Sequence, residues 1–173
     1  MEEVNNHMEI ERKFLVKKLP DDLSKYNRIE MEQGYLNTNP VVRVRRENDD
    51  YVLTYKGDGL MARREENLPL NREAFANLIK KCDGRIISKT RYLIPLEGEM
   101  SERGLKAELD VFHKDLEGIV IVEVEFESME DAQSFEAPDW FGEDVTMDGN
   151  YHNSFLSSAE DISELINKSK GNK

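Results

Sequence analysis

The sequence predicts a β-dominated α+β fold: a strand-rich sheet closed on itself as a barrel, with a few helices packed outside it. Three observations lead there. Most of the chain reads as segments of alternating apolar and polar residues separated by short turn clusters, the period of half-buried strands. Capped helical spacing interrupts them clearly after Asn71. The polar faces of successive strands carry charged residues in pairs two positions apart, and a closed sheet would gather these in its lumen, because alternate residues of every strand point inward. No internal repeat, linker or low-complexity segment divides the 173 residues, so one domain over 1–173 is expected, with 1–7 and 167–173 as flexible tails.

The opening strand runs from Met8 to Val16: Met8, Ile10 and Phe14 share one face, Glu9, Glu11 and Lys13 the other, and Arg12 falls with Ile10. Lys17 to Lys25, with Pro20-Asp21-Asp22, predicts a turn into a short helical segment. Ile29 to Leu36 is extended and ends in the turn Asn37-Thr38-Asn39-Pro40. Val41 to Arg46 sets Arg43 and Arg45 opposite Val42 and Val44, and the acidic cluster over 47–50 turns the chain into Tyr51 to Lys56, with Lys56 on the polar face. After the Gly57-Asp58-Gly59 loop, Met61 to Leu70 takes its apolar parity from Leu68 and Leu70. Arg63, Glu65 and Asn67 then share the other face, and Glu66 joins them only through a bulge. Asn71 caps a helix carrying Phe75, Leu78, Ile79 and Cys82, with Gly84 as its stop. Arg85 to Leu96 is a strand with Lys89 and Arg91 on one face, and Glu97-Gly98-Glu99 turns it. Leu105 to Phe112 groups Lys106, Glu108 and Asp110; Ile119 to Glu127 groups Glu123, Glu125 and Glu127. Met129 to Ala132 predicts a short helix, Pro138-Asp139-Trp140 a loop, and Asp161 to Ile166 a terminal helix followed by a solvated tail from Lys168. Trp140 and Phe141 read as packing residues at the barrel wall or mouth.

Charged residues on strand faces usually point to solvent. Here they recur as Arg-x-Arg, Lys-x-Arg and Glu-x-Glu, which sets like charges about 7 Å apart, unfavourable unless something of opposite sign lies between them. A ligand that combines negative charge with cations satisfies both groups, and a polyphosphate with a divalent metal does so directly. Arginines and lysines would cradle phosphate oxygens, and carboxylates from different strands would hold the metal. Phosphoryl transfer or hydrolysis is the chemistry this favours.

The formal net charge of −12 argues against a general binder of nucleic acid or membrane surfaces, although a local basic cluster outweighs the global field at short range. Cys82 stands alone, so no intrachain disulfide forms and a cysteine-based zinc site is improbable. His7, His113 and His152 lack metal-ligand spacing, which leaves carboxylates as donors and favours magnesium, manganese or calcium. With no apolar run of spanning length and no signal-peptide pattern, the expected location is the cytoplasm.

The motif Glu9-Ile10-Glu11-Arg12-Lys13-Phe14 resembles the Glu-x-Glu-x-Lys signature of the CYTH domain, or triphosphate tunnel metalloenzyme, superfamily. Further matches follow in order: Gln33-Gly34-Tyr35-Leu36, Arg43-Val44-Arg45, Leu53-Thr54-Tyr55-Lys56-Gly57, Lys89-Thr90-Arg91-Tyr92, Glu108 to Phe112, Glu123-Val124-Glu125, and Val145-Thr146 with Tyr151-His152-Asn153. The resemblance implies an eight-stranded antiparallel tunnel that binds a triphosphate and requires Mg2+ or Mn2+. It implies that Lys13, Arg43, Arg45, Lys56, Lys89 and Arg91 contact the triphosphate. The metal ligands would be drawn from Glu9, Glu11, Glu65, Asp110, Glu123 and Glu125, and the catalytic group would be Glu9, Glu11 and Lys13. One departure is visible: where the family often has Glu-x-Glu, this chain has Glu65-x-Asn67, or Arg63-x-Glu65. Hydrolysis of inorganic tripolyphosphate is the leading expectation; a class IV adenylate cyclase, a thiamine triphosphatase and a non-catalytic polyphosphate-binding module are the alternatives. No Gly-rich nucleotide-binding loop supports a nucleotide substrate. Dimerisation is left open by the sequence.

Overall fold

A computed structural model describes residues 8–98 and 104–171. The strands are β1 (Met8–Val16), β2 (Asn27–Thr38), β3 (Val41–Glu47), β4 (Asp50–Lys56), β5 (Ala62–Leu70), β6 (Asp83–Pro95), β7 (Lys106–Phe112), β8 (Val120–Phe126) and β9 (Phe141–Asp144). The α-helices among the described residues are α1 (Arg72–Ile79), α2 (Met129–Ser134), α3 (Asn153–Ser158) and α4 (Ser163–Gly171). Neighbouring strands are antiparallel in the order β1-β8-β7-β6-β2-β3-β4-β5, and β5 returns to β1, so eight of the nine strands close a barrel. Closure is short: Met8, Glu9 and Ile10 pair with Arg64, Arg63 and Ala62. The remainder of that β1 edge meets β9, the strand outside the ring, at Phe14 and Val16. Between the two, Glu11 N donates to Met61 O and Lys13 N to the Thr146 hydroxyl, each at 3.0 Å, so the edge amides keep partners where the strands part.

Outward and inward side chains build separate cores. Ile10, Phe14, Leu109, Val122, Val124 and Phe126 point out of the barrel and pack with Ala132 of α2, Phe135 and Phe141. Phe14 lies 5.1 Å from the Phe141 ring and 6.0 Å from Phe135, and burial of such a side chain contributes about 1.5–3 kcal/mol. Arg12 points to the same side, donates to the Ala132 and Phe135 carbonyls at 3.0 Å and pairs with Asp144 at 2.6 Å, which fastens α2 and β9 to β1. Trp140 and Phe141 belong to this outer packing, as expected.

The inward positions are charged along part of each strand and apolar beyond it. Two residues past Lys13 comes Leu15, past Glu123 in the other direction Ile121, past Asp110 Phe112, and past Lys89 Ile87. With Tyr35 and Val41 they form a second core with Tyr151, Leu156 and Ile162, under α3 and the start of α4. Apolar residues therefore lie inside the barrel as well as outside it, and this cluster fills one part of its inner face.

Local differences from expectation have plain causes. β2 extends to Asn27 and Thr38 because β6 supplies partners as far as Asn27, shortening the turn to Asn39-Pro40. Glu65 pairs with Lys56 and Glu66 with Tyr55 without a bulge, so Glu66 points outward, to Arg64 at 3.1 Å. Gly84 lies inside β6 with φ +70°, and a Cβ there would come within 2.3 Å of the Ser157 carbonyl, so the glycine serves close approach of α3 as well as the turn. Residues 167–171, expected as tail, are helical, since Ile162, Leu165 and Ile166 anchor α4 on the second core. β9 and α3 were not foreseen. The N-terminal segment 1–7, Glu99 of the predicted turn and residues 172–173 lie outside the described residues. Among the described residues no helix is long and apolar enough to cross a membrane.

Candidate active site

Strand alternation carries the charged faces into the barrel, where they line a cavity of about 220 Å³. Glu9, Glu11 and Lys13 reach it from β1, Arg43 and Arg45 from β3, Lys56 from β4, Glu65 from β5, Lys89 and Arg91 from β6, and Glu123 and Glu125 from β8. Asp110 is the exception among the expected site residues. It is 1% exposed and lies beneath Lys89 and Arg91, which separate it from the cavity.

The ion pairs form two groups joined through Lys13, which also lies 3.7 Å from Glu11. In one, Glu123 accepts from Lys13 at 2.8 Å and from Arg91 at 2.6 Å, and Arg91 also holds Glu108 and both oxygens of Asp110, with Lys89 closing on Asp110. In the other, Lys56 Nζ contacts both Glu9 oxygens at 2.7 and 2.6 Å and Glu65 Oε2 at 2.6 Å, while Arg63 reaches Glu9 at 3.3 Å and Glu11 at 3.6 Å. Because each carboxylate in these networks already faces a lysine or arginine, the described residues contain no ready-made cluster of three acidic, histidine or cysteine ligands.

Two places are unmatched. Arg43, 4% exposed, has no carboxylate partner among the described residues; it reaches the Thr54 hydroxyl at a long 3.4 Å and has the Tyr35 hydroxyl beside it. Its neighbour Arg45 pairs with Glu47 at 2.6 Å, yet burial and the adjacent Arg43 push its guanidinium down to about 10. Glu125, exposed to solvent on part of its surface, has no cationic partner among the described residues: desolvation on the cavity side, and then the charges of Glu108, Glu9, Glu65 and Glu11, raise its carboxyl above the ordinary value.

Lys13 and Glu65 stay charged near neutrality. Burial opposes the Lys13 ammonium, but Glu123 and Glu11 outweigh it and hold its pKa above the ordinary lysine value. Burial likewise opposes the Glu65 carboxylate, while the charge and hydrogen bond of Lys56 bring it down to about 2. His152, just before α3, also lines the cavity; burial, then Lys13 and Arg63, push its imidazole down to about 4, so it is neutral.

Sequence reasoning left several lining residues out of the site. Arg63 shares the inward parity of Glu65 and was legible from it. Glu108 carries the parity of Asp110. His152, Asn153 and Ser154 reach the cavity from a loop and a short helix, where alternation gives no signal.

Residues 7–160 match the CYTH domain family. The chain is 39% identical over 152 residues to an inorganic triphosphatase of Nitrosomonas europaea, covering 86% of this chain and 96% of that protein. It is 36% identical over 154 residues to an inorganic triphosphatase of Acetivibrio thermocellus, covering 86% of this chain and 92% of that one. Among solved structures, the inorganic triphosphatase NE1496 aligns with a TM-score of 0.63 at 38% identity, over 86% of this chain and 93% of its own. The PH1012 protein from Pyrococcus horikoshii OT3 shares the fold, with a TM-score of 0.54 at 19% identity over 89% of this chain and 93% of its own.

Proposed function

Because this chain belongs to the CYTH domain family, we propose that its charged cavity hydrolyses inorganic tripolyphosphate to pyrophosphate and phosphate with Mg2+ or Mn2+. One observation carries this reading: unmatched positive charge at Arg43 and unmatched negative charge at Glu125 line the same cavity. A polyanion bound with a divalent cation relieves both, whereas a bare anion would aggravate Glu125. The cavity is also smaller than the roughly 300–1,000 Å³ of sites for drug-sized ligands, which favours a compact inorganic chain over a nucleotide or thiamine triphosphate.

The donor set fits a hard cation. Glu125 lines the cavity at an exposed position, and desolvation on the cavity side and then the carboxylates around it raise its carboxyl, so an added positive charge there relieves their repulsion. Glu9, Glu11 and Glu125 would hold the ion, and when bound it supplies polarisation of a phosphoryl oxygen and activation of water. We assign Asp110 and Glu123 instead as counter-ions that aim Lys89, Arg91 and Lys13.

Arg43 and Arg45 receive phosphate oxygens in bidentate fashion, and Lys13, Lys56, Lys89 and Arg91 neutralise the charge that develops as the anhydride breaks. A phosphate that competes for Lys56 and Arg63 weakens their hold on Glu9 and Glu11, so substrate entry and carboxylate release are coupled. Lys13 remains protonated throughout this exchange and orients the chain without serving as a base. The cytoplasm is the compartment we assign, in keeping with the lone cysteine.

The test is phosphate release from tripolyphosphate, ATP and thiamine triphosphate with Mg2+, Mn2+ or chelator, with cyclic AMP measured in parallel. Tripolyphosphate should be the preferred substrate by about a hundredfold in kcat/KM, near 3 kcal/mol of discrimination. Equal turnover of ATP, cyclic AMP formation, or tight tripolyphosphate binding without turnover would each overturn the assignment.

A further inference from the structure

The inward face of β5 ends in an amide that touches no part of the cavity. Asn67 stands in register with Thr54 of β4, and Thr54 with Arg43 of β3, so the three residues form one row across adjacent strands. Along this row the Thr54 hydroxyl accepts from Arg43 Nη2 at 3.4 Å and donates to Asn67 Oδ1 at 2.6 Å. The Asn67 amide nitrogen then donates to Glu65 Oε1 at 2.6 Å, while Glu65 Oε2 faces Lys56 at 2.6 Å.

Donor and acceptor roles here leave little choice. Thr54 is fully buried and has one proton, which goes to Asn67; the other end of the amide therefore presents N–H to Glu65. A carboxylate at 67 would accept from Thr54 but would offer Glu65 no proton, and it would set a second negative charge beside it. An alanine would leave the Thr54 hydroxyl and one Glu65 oxygen without this partner.

We propose that Asn67 is a positioning residue that locks Glu65 onto Lys56, withdrawing Glu65 from the carboxylates available to a divalent cation and aiming Lys56 at the substrate. With Asn67 in place, Glu65 Oε1 accepts its amide N–H and Oε2 lies 2.6 Å from the Lys56 ammonium, and the cation is left to Glu9, Glu11 and Glu125. Lys56 keeps the Glu65 contact when its contact to Glu9 is lost to substrate. This rests on the metal-dependent reading above, but part of its test needs no turnover.

Asn67→Asp, Asn67→Ala and the parent are compared by calorimetric titration of Mn2+ into substrate-free protein and by steady-state kinetics with Mg2+ and tripolyphosphate. Asn67 is exposed at its outer side, so both variants are expected to fold, and circular dichroism checks this. Asn67→Asp should bind Mn2+ about tenfold tighter or take up an additional ion, since outer partners of metal ligands shift affinity by about 10–100-fold. Asn67→Ala should raise KM for tripolyphosphate by about tenfold with a smaller change in kcat, because Glu65 is no longer held against Lys56, and should gain Mn2+ affinity less than Asn67→Asp, because Glu65 Oε1 is released without a second carboxylate being added. A purely structural role would lower thermal stability in both variants and leave the Mn2+ isotherm of Asn67→Asp unchanged. That unchanged isotherm, or an unaltered KM in Asn67→Ala, overturns the proposal. Failure of the parent to hydrolyse tripolyphosphate would refute the substrate assignment and leave the Mn2+ comparison standing as its own test.

Discussion

Arg43→Met is expected to leave the fold at least as stable as the parent while removing most of the activity. Arg43 is 4% exposed, lacks a carboxylate partner among the described residues, and sits two positions from Arg45 on one strand face. Two unit charges about 7 Å apart repel by about 2 kcal/mol at an effective dielectric constant near 20. Methionine keeps the apolar stem and removes the charge, so this repulsion and the desolvation of the guanidinium disappear together, offset by a weak contact to Thr54. The melting temperature without substrate should then lie between the parent value and about 4 °C above it, for a chain of this size. Against this, kcat/KM for tripolyphosphate should fall about a thousandfold, near 4 kcal/mol, the lower end of what an arginine supplies in phosphoryl transfer. Arg91→Met is the contrast. It strips the shared partner from Glu108, Asp110 and Glu123 and should cost about 3–5 kcal/mol of stability, because breaking buried pairs leaves uncompensated charge. Calorimetric melting and phosphate release on both variants decide the matter. A melting temperature in Arg43→Met about 6 °C or more below the parent, or activity within about threefold of it, would refute the assignment of Arg43 as an unmatched phosphate ligand.

Glu123 is held well below its ordinary value of 4.5, with burial opposing the charge and Lys13, Arg91 and Lys89 favouring it, so its contribution to stability is complete above about pH 4.5 and is lost as pH falls toward the folded value. Melting temperature followed from about pH 6 to pH 3 should fall, and less steeply in Glu123→Gln; equal slopes would show that this carboxylate is not a source of acid sensitivity. Phe14→Ala removes a ring that is 2% exposed between Phe135 and Phe141 and should destabilise by about 3–5 kcal/mol, read as a loss of roughly 6–20 °C in melting temperature. Excess chelator should abolish tripolyphosphate hydrolysis, with Mg2+ or Mn2+ restoring it, and undiminished turnover after chelation would remove the metal from the mechanism.

How far the sequence reached depends on the kind of order each residue belongs to. Glu9, Glu11 and Lys13 were legible because strand alternation is a local rule, and the same rule on β3, β6 and β8 places Arg43, Arg45, Lys89, Arg91, Glu123 and Glu125 on the inner face. Asp110 obeys that parity too, yet it does not reach the cavity, because depth beneath Lys89 and Arg91 is set by side-chain length and barrel curvature. His152 entered the sequence reading only as part of the matched stretch Tyr151-His152-Asn153, and its place in the cavity, like α3, was not foreseen, since a loop and a six-residue helix have no period to read.

The sequence by itself determined the eight barrel strands, their inward faces, the single-cysteine chemistry and the mixture of cations and carboxylates that points to a metal-bound polyphosphate. Tertiary structure alone decided which charges cancel. Lys13 with Glu123 and Lys56 with Glu9 meet across strands distant in the chain, Lys56 with Glu65 across consecutive ones, while Arg43 and Glu125 are left over among the described residues. The physical reason is range: alternation follows from the backbone of one strand, whereas Coulomb pairing in a desolvated interior depends on ångström separations that exist only once the sheet has closed.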